Sequence, residues 1–431
     1  MNRKTFRKYN ILKAHQCDCT ILPNGELRGI DSFSTRVNNN AAILGASGAG
    51  KTRSVVIPNI LSACGSYIVA DPKGSLYKNY SENMLEYGYK VLHIDLLHPE
   101  ASDKYNPLEY VHTSDDALKL ASQLVRLGYD GKSATNDPFW EKAAEMLASA
   151  LIGYIAEGGT AVEHSVHGIT ELLSKIDPNA YENDKRSPID GIFLDHKIKY
   201  QARTGKESWA YEQFQKFKFN ASKTLSSIII TLQTMIGTFD TAGIRKMTSG
   251  DNTIDIRSIG TEKTIVFISI SDTDRSKDVI ANIFYSQAIN ELCTFADEEF
   301  ENSCLPVNVR FILDDFGTNC RIHGFENMIS NIRSRGISAT LILQSESQLA
   351  KGYGDSSHTI LDNCDTIVYM GGNDIETARI IAERSNSSVP SVLNMPVGTN
   401  WVFRRGEKPV FSNTVDLSEY YISPKRYAIS R

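Results

Sequence analysis

Residues Gly45-Ala46-Ser47-Gly48-Ala49-Gly50-Lys51-Thr52 follow the apolar run Ala41-Ala42-Ile43-Leu44 and have the spacing of a phosphate-binding loop. Gly45 and Gly50 allow a tight turn in which successive backbone N–H groups converge on phosphate oxygens. The helix expected next aims its positive end at the same anion. Lys51 brings a mobile cation to the terminal phosphates, and the Thr52 hydroxyl can ligate Mg²⁺. Arg53 completes the residues expected to line the nucleotide. A plain glycine-rich turn is the competing reading, and the strand–loop–helix context argues against it.

Phe311-Ile312-Leu313-Asp314-Asp315 is an apolar run that ends in two carboxylates. Asp314 would hold Mg²⁺ directly or through water, and Asp315 would polarise the attacking water. Strands often end in Asp merely as a turn residue, so the upstream loop carries the functional reading. Leu341-Ile342-Leu343-Gln344 ends a third run in a polar group. Ligands of open parallel sheets sit at the carboxyl ends of strands. Gln344 there either senses the terminal phosphate, positions the water, or bonds a loop. Arg333 and Arg335, just upstream, are either an arginine finger for a neighbouring copy's nucleotide or a solvated basic turn. Tyr211 to Lys223 interleaves Phe214, Phe217 and Phe219 with Lys216, Lys218 and Lys223. Base stacking is one use of such a segment. An amphipathic helix with buried Phe and snorkelling Lys is the preferred one.

These groups need a scaffold that brings strand ends together. Short apolar strands are expected at 41–44, 67–71, 91–94, 264–270, 309–313, 340–343 and 366–369, with a hairpin over 401–410. Spacing between them suits crossover helices and a parallel sheet. Pro58 predicts a kink or an end in the helix after the loop. From about 113 to 246 the pattern becomes helical. Asp137-Pro138 opens a helix that Gly158-Gly159 stops, and Ile228 to Met235 belongs to another. The polar, Pro- and Gly-punctuated stretch 178–207 predicts a loop. The expected organisation is a nucleotide-binding domain in two parts, 1–113 and 247–431, around an all-α insertion at 114–246.

Composition narrows the class. The chain has 431 residues, 41% hydrophobic and 23% charged, enough for two or three domains with ample cores. No apolar run approaches the ~18 residues of a membrane span, and no signal segment follows the basic start, so a cytoplasmic location is expected. Seven dispersed cysteines predict reduced thiols. His15-Gln16-Cys17-Asp18-Cys19 has three ligands at cramped spacing without a second pair at zinc-finger distance, so a turn entering a strand is expected there. A net charge of −5 leaves the bulk surface unattractive to nucleic acid. Any DNA contact must be focused on one patch.

Together the motifs resemble those of the coupling proteins of type IV secretion and conjugation. The matching stretches are Gly45 to Thr52, Val69-Ala70-Asp71-Pro72-Lys73-Gly74, Tyr105-Asn106-Pro107-Leu108, Phe139-Trp140-Glu141-Lys142-Ala143, Leu313 to Phe316, and Leu343-Gln344-Ser345-Glu346-Ser347-Gln348-Leu349. The resemblance implies an α/β, RecA-like P-loop NTPase with a mostly parallel sheet flanked by helices. It implies a homo-hexameric ATPase that uses ATP and Mg²⁺, recruits DNA or a relaxase–DNA conjugate to the secretion channel, and drives transfer, with DNA, expected single-stranded, in the ring lumen. Phosphate and magnesium roles fall on Lys51, Thr52 and Asp314, the finger on Arg333, the sensor on Gln344, and Asp71 would also face the nucleotide. The helical insertion would recruit substrate.

Three departures qualify the resemblance. The family carries an N-terminal membrane anchor and this sequence shows none, so a separate membrane-anchored subunit and peripheral recruitment to the cytoplasmic membrane are expected. Asp315 stands where the family has Glu. Asp is one C–C bond (~1.5 Å) shorter, and a misplacement of about 1 Å can cost ~10²-fold in rate, so slow turnover before assembly is expected. Ser75 replaces an acidic residue after Asp71-Pro72-Lys73-Gly74. Competing readings are a channel-energising secretion ATPase or chromosome-partition translocase of the same fold, and a non-motor nucleotide-binding adaptor.

Overall fold

The structure, a computed structural model, describes residues 19–128, 138–182, 185–220, 225–250, 253–318 and 320–417. His15 to Asp18, the Asp137 cap and Lys223 lie outside them. The chain divides into two compact units. One comprises residues 1–97, 255–275 and 288–431, the other 98–254 and 276–287.

Among its described residues the first unit is built on eleven strands: β1 (Cys19–Ile21), β2 (Leu27–Gly29), β3 (Ala41–Leu44), β4 (Ser66–Pro72), β5 (Lys90–Asp95), β6 (Thr264–Ile270), β7 (Val309–Leu313), β8 (Ile337–Leu343), β9 (Thr366–Tyr369), β10 (Thr399–Arg404) and β11 (Val410–Asn413). β1 and β2 form a separate hairpin, and the other nine make one sheet in the order β11-β10-β9-β3-β8-β7-β4-β6-β5. From β9 to β5 all pairings are parallel, and β10 and β11 close the sheet antiparallel. Every residue of β3, β6, β7 and β8 is buried. Continuous apolar runs of this kind belong to parallel sheets covered on both faces, which is why these strands were legible in the sequence.

The helix after the loop changes register. Thr52–Val56 is a π-turn, and Ile57–Leu61 is an α-helix with Pro58 in its first turn. Pro58 has no N–H to return to the preceding turn, and the wider turn takes up the mismatch. Val55, Val56, Ile60 and Leu61 pack with Ile43, Val69, Phe267, Ile312, Ile342 and Val368, so the loop's helix lies on one face of the sheet.

Among its described residues the second unit is helical, with helices including Ser114–Gly128, Pro138–Ala156, Val166–Leu173, Pro188–Thr204, Trp209–Asn220 and Leu225–Ile236. The loop expected at 178–207 is corrected. It contains the helices Pro178–Glu182 and Pro188–Thr204. Proline here marks a start: Ser187 and Asp190 form a capping box around Pro188, and Gly205 ends the helix at φ 70°. Ile189, Phe193 and His196 bury one narrow face. The ring of Phe193 stacks on Phe214 with centroids 4.2 Å apart. Phe214 and Phe217 are buried, and Lys218 pairs with the Asp190 carboxylate at 2.9 Å. Helix Trp209–Asn220 is thus amphipathic, as preferred. The Phe219 side chain lies outside the described residues.

Candidate functional site

The parallel register brings the three chemical strand ends together. Leu44 pairs with Leu343, and Leu313 with Leu341, so Gly45, Asp314 and Gln344 leave the sheet at one edge. The Gly45 N–H donates to the Leu343 carbonyl at 3.1 Å and the Ala46 N–H to the Gly371 carbonyl at 2.9 Å, which pins the start of the loop. A Cβ at Gly45 would sit 3.1 Å from the Met370 Cβ and 3.2 Å from the Ala49 Cβ. Gly50 has φ 89°, a conformation other residues strongly resist. The N–H groups of Ser47, Gly48 and Gly50 have no acceptor among the described residues. They are unspent donors of the kind an anion collects.

Lys51 lies over its own loop. Its Nζ donates to the Gly45 carbonyl at 2.5 Å and to the Ala46 carbonyl at 3.0 Å. Burial pulls its ammonium below the usual lysine range, and the Asp314 and Asp315 carboxylates oppose that. The Thr52 hydroxyl donates to Asp314 Oδ2 at 3.3 Å. Asp314 is pushed up to about 6, first by burial and then by repulsion from Asp315. The Asp315 N–H, Lys51 and Thr52 hold it back. A buried carboxylate beside a hydroxyl fits Mg²⁺, which takes one or two protein oxygens and completes its shell with phosphate and water. No group of three or more acidic, His or Cys residues suited to a metal occurs among the described residues. A cation here would therefore need phosphate oxygens as well.

Asp315 has φ 53°, a left-handed conformation that Asp tolerates better than most residues. Its carboxylate accepts from Gln344 Nε2 at 3.4 Å. Gln344 is held in turn: its N–H donates to Gln348 Oε1 at 2.9 Å, and Gln348 Nε2 reaches Thr318 Oγ1 at 3.5 Å. Gln348 had no assigned role in the sequence reading. The signal was its i+4 spacing from Gln344 across the cap Ser345, whose hydroxyl accepts the Gln348 N–H.

Other expected site residues lie differently. Asp71 is fully buried, and its carboxylate accepts the N–H groups of Leu76 at 2.9 Å and Tyr77 at 2.8 Å. Both oxygens are spent on the start of helix Ser75–Glu86. Burial raises its pKa against those bonds. Arg53 forms an exposed ion pair with Asp416 at 3.1 Å. Arg333 precedes β8 at the amino end of the sheet, opposite the loop, and donates to the Ser32 carbonyl at 2.8 Å. Arg335 pairs with Asp297 at 2.6 Å. Of the two arginines, Arg333 is the one bound only to a carbonyl among the described residues.

Comparison with known proteins places the chain. A family model described as Type IV secretory system Conjugative DNA transfer matches residues 2–386. Conjugal transfer protein TraG of Rhizobium radiobacter is 21% identical over 366 residues, covering 82% of this chain and 53% of the relative. The chain spans about half the length of the curated relatives it matches. Among solved structures, an unbound form of the bacterial conjugative coupling protein TrwBdeltaN70 aligns with a TM-score of 0.63 at 14% identity, covering 94% of this chain and 93% of that one. The plasmid coupling protein TrwB in complex with ADP and Mg²⁺ aligns with a TM-score of 0.60 at 14% identity, covering 95% and 91%. Likeness at that identity shows a shared fold, the RecA-like α/β arrangement. No helix among the described residues is long and apolar enough to cross a membrane.

Proposed function

The chain belongs to the type IV secretory system conjugative DNA transfer family, and on that premise we propose that it is an ATP-dependent coupling protein that recruits DNA or a relaxase–DNA substrate to a secretion channel and drives its transfer by hydrolysis. One observation carries the reading: Lys51, Thr52, Asp314, Asp315 and Gln344, drawn from three strand ends, meet at one sheet edge beside a loop with unspent N–H groups.

Each residue then has a task. The loop's N–H groups bind phosphate oxygens. Lys51 exchanges its two loop carbonyls for the terminal phosphates. Thr52 and Asp314 hold Mg²⁺, which when bound would neutralise charge growing on the phosphoryl oxygens. Asp315 accepts a proton from the attacking water, and Gln344 keeps that carboxylate and the water in line. Arg333, at the opposite end of the sheet, acts on the nucleotide of the next copy in a homo-hexamer, a contribution worth ~10³-fold or more in comparable enzymes. The helical residues 114–246 recruit substrate. Basic groups line the lumen, because six copies at −5 each otherwise repel DNA. Recruitment to the membrane is peripheral, through a separate anchored subunit.

The test is binding and turnover of ATP by the full chain with Mg²⁺, with and without single-stranded DNA. Tight Mg²⁺-dependent binding, DNA-stimulated hydrolysis, and loss of both in Lys51→Ala are expected. No binding at millimolar nucleotide ends the reading. Binding without hydrolysis under every condition leaves the adaptor reading, which the short Asp315 side chain favours.

A further inference from the structure

At the amino end of the sheet a guanidinium is buried without a carboxylate. Arg310, in β7, donates to Asn59 Oδ1 at 3.1 Å and to the Thr20 hydroxyl, and its Nε has no partner. No carboxylate pairs with it among the described residues. The titratable groups that face it are Tyr67, Cys64 and Cys19. Arginine does not deprotonate in proteins, and a buried unpaired charge is costly, so a counter-charge on one of those three would offset that cost. Tyr67 is the poorest candidate, since burial raises its phenol and its hydroxyl donates to the Asn59 carbonyl at 2.8 Å. Cys64 is the best. When protonated its thiol donates to the Ser62 carbonyl at 3.4 Å. Hydrogen bonding with Cys19 and, last, the Arg310 charge lower its pKa although burial opposes them.

Cys64 is also reachable. A cavity of about 20 Å³, lined by Cys64, Arg310, Arg333, Asn308 and Ser338 among others, has room for one water-sized molecule. Hydrogen peroxide is little larger. We propose that Cys64 and Cys19 form a peroxide-oxidised thiol pair, with Cys64 as the attacking thiolate, Cys19 as the resolving thiol and Arg310 as the counter-charge. In the first step the Cys64 thiolate attacks one peroxide oxygen. An S–O bond forms, the O–O bond breaks, and the departing hydroxide takes up a proton to become water. In the second step the Cys19 sulfur attacks the Cys64 sulfenic acid. The S–S bond forms, the S–O bond breaks, and the leaving hydroxide takes the Cys19 thiol proton. Two thiols are oxidised and one peroxide is reduced to two waters.

The bond would strengthen an existing seam. Asn59, on the helix that leaves the phosphate loop, accepts the Ile21 N–H at 2.9 Å and donates to the Ile21 carbonyl at 2.8 Å. A Cys19–Cys64 disulfide would staple β1 to the chain just beyond that helix and close a covalent ring around the phosphate loop.

The experiment treats the reduced full chain with a slight excess of hydrogen peroxide at neutral pH. Native thiols are counted and unreduced peptides mapped. Two thiols should vanish and the Cys19 and Cys64 peptides should be joined. Cys19→Ser should leave a Cys64 sulfenic acid that dimedone traps, and Cys64→Ser should block both products. Independently, the ultraviolet thiolate absorbance that wild type shows over Cys64→Ser should persist at neutral pH, and Arg310→Met should move its titration upward by about one unit or more. An unchanged thiol count, a link through Cys17 instead, or a Cys64 thiolate that appears only near the ordinary thiol value of about 8.5 would overturn the proposal.

Discussion

At the carboxyl end of the sheet a carboxylate, Asp314, is buried among a lysine, a threonine and a second carboxylate. At the amino end a guanidinium, Arg310, is buried among two thiols and a phenol. Burial pushes both toward their neutral forms, Asp314 up and Arg310 down. The remedies differ. Around Asp314 the compensating groups are held by bonds that are easily exchanged: Lys51 rests on its own loop carbonyls, and Thr52 reaches Asp314 at 3.3 Å. That end is completed by something that arrives. Around Arg310 the partners Asn59 and Thr20 are fixed, and Asn59 also holds β1. That end is completed from within. Buried charge marks a ligand site only where its neighbours can let go.

The largest test of the contrast removes the cation at one end and the candidate finger at the other. Lys51→Ala should lower turnover by about 10³-fold or more and weaken nucleotide binding, whereas Arg333→Ala should lower turnover of the assembled form about as much and leave binding by the isolated chain unchanged. Mixing the two inactive variants should restore part of the ATPase rate, since each mixed ring contains some junctions with both residues. Failure to restore any rate would place Arg333 outside the neighbouring site.

Asp315→Glu adds one C–C bond (~1.5 Å) and should raise turnover by about 10- to 10²-fold with little change in affinity, read from kcat and KM. A fall in kcat would mean that the left-handed backbone at Asp315 does not accept the longer side chain.

The pH response of Asp314 gives a smaller effect with a definite sign. Its folded pKa of about 6 lies above the ordinary carboxylate value of about 3.9. In that window the native chain holds a proton that the unfolded chain has lost, so nucleotide-free stability falls as pH rises through it. Asp314→Asn should remove this slope and raise stability at neutral pH by about 1–3 kcal/mol, measured by denaturant unfolding. Magnesium needs the ionised form, so Mg²⁺-nucleotide affinity of wild type should weaken about tenfold per unit below about 6. Gln348→Ala, which frees the Gln344 backbone N–H and the Thr318 hydroxyl, should cost about fivefold in kcat. A null result there would make Gln348 a loop brace alone.

Much of this was legible in residue order because it is local. A phosphate loop needs its glycines, lysine and threonine within eight consecutive positions, and the buried parallel strands are unbroken apolar runs. Helix Pro188–Thr204 was legible in principle, through Ser187, Asp190 and Gly205, but its few buried positions hid beneath polar composition. Asp71 looked like a site residue because it ends a strand. Only the turn made by Lys73 at φ 78° and Gly74 at φ 67° directs the helix Ser75–Glu86 back onto its oxygens.

Residue order by itself determined the loop, the carboxylate pair and the family, since each depends on neighbours along the chain. Tertiary structure alone decided that Leu44 lies beside Leu343, that Arg335 and not Arg333 is held by Asp297, and that Cys19, Cys64 and Arg310 share one buried corner. Those pairings join residues far apart in sequence. Strand register and desolvation select them, and neither acts until the sheet has formed.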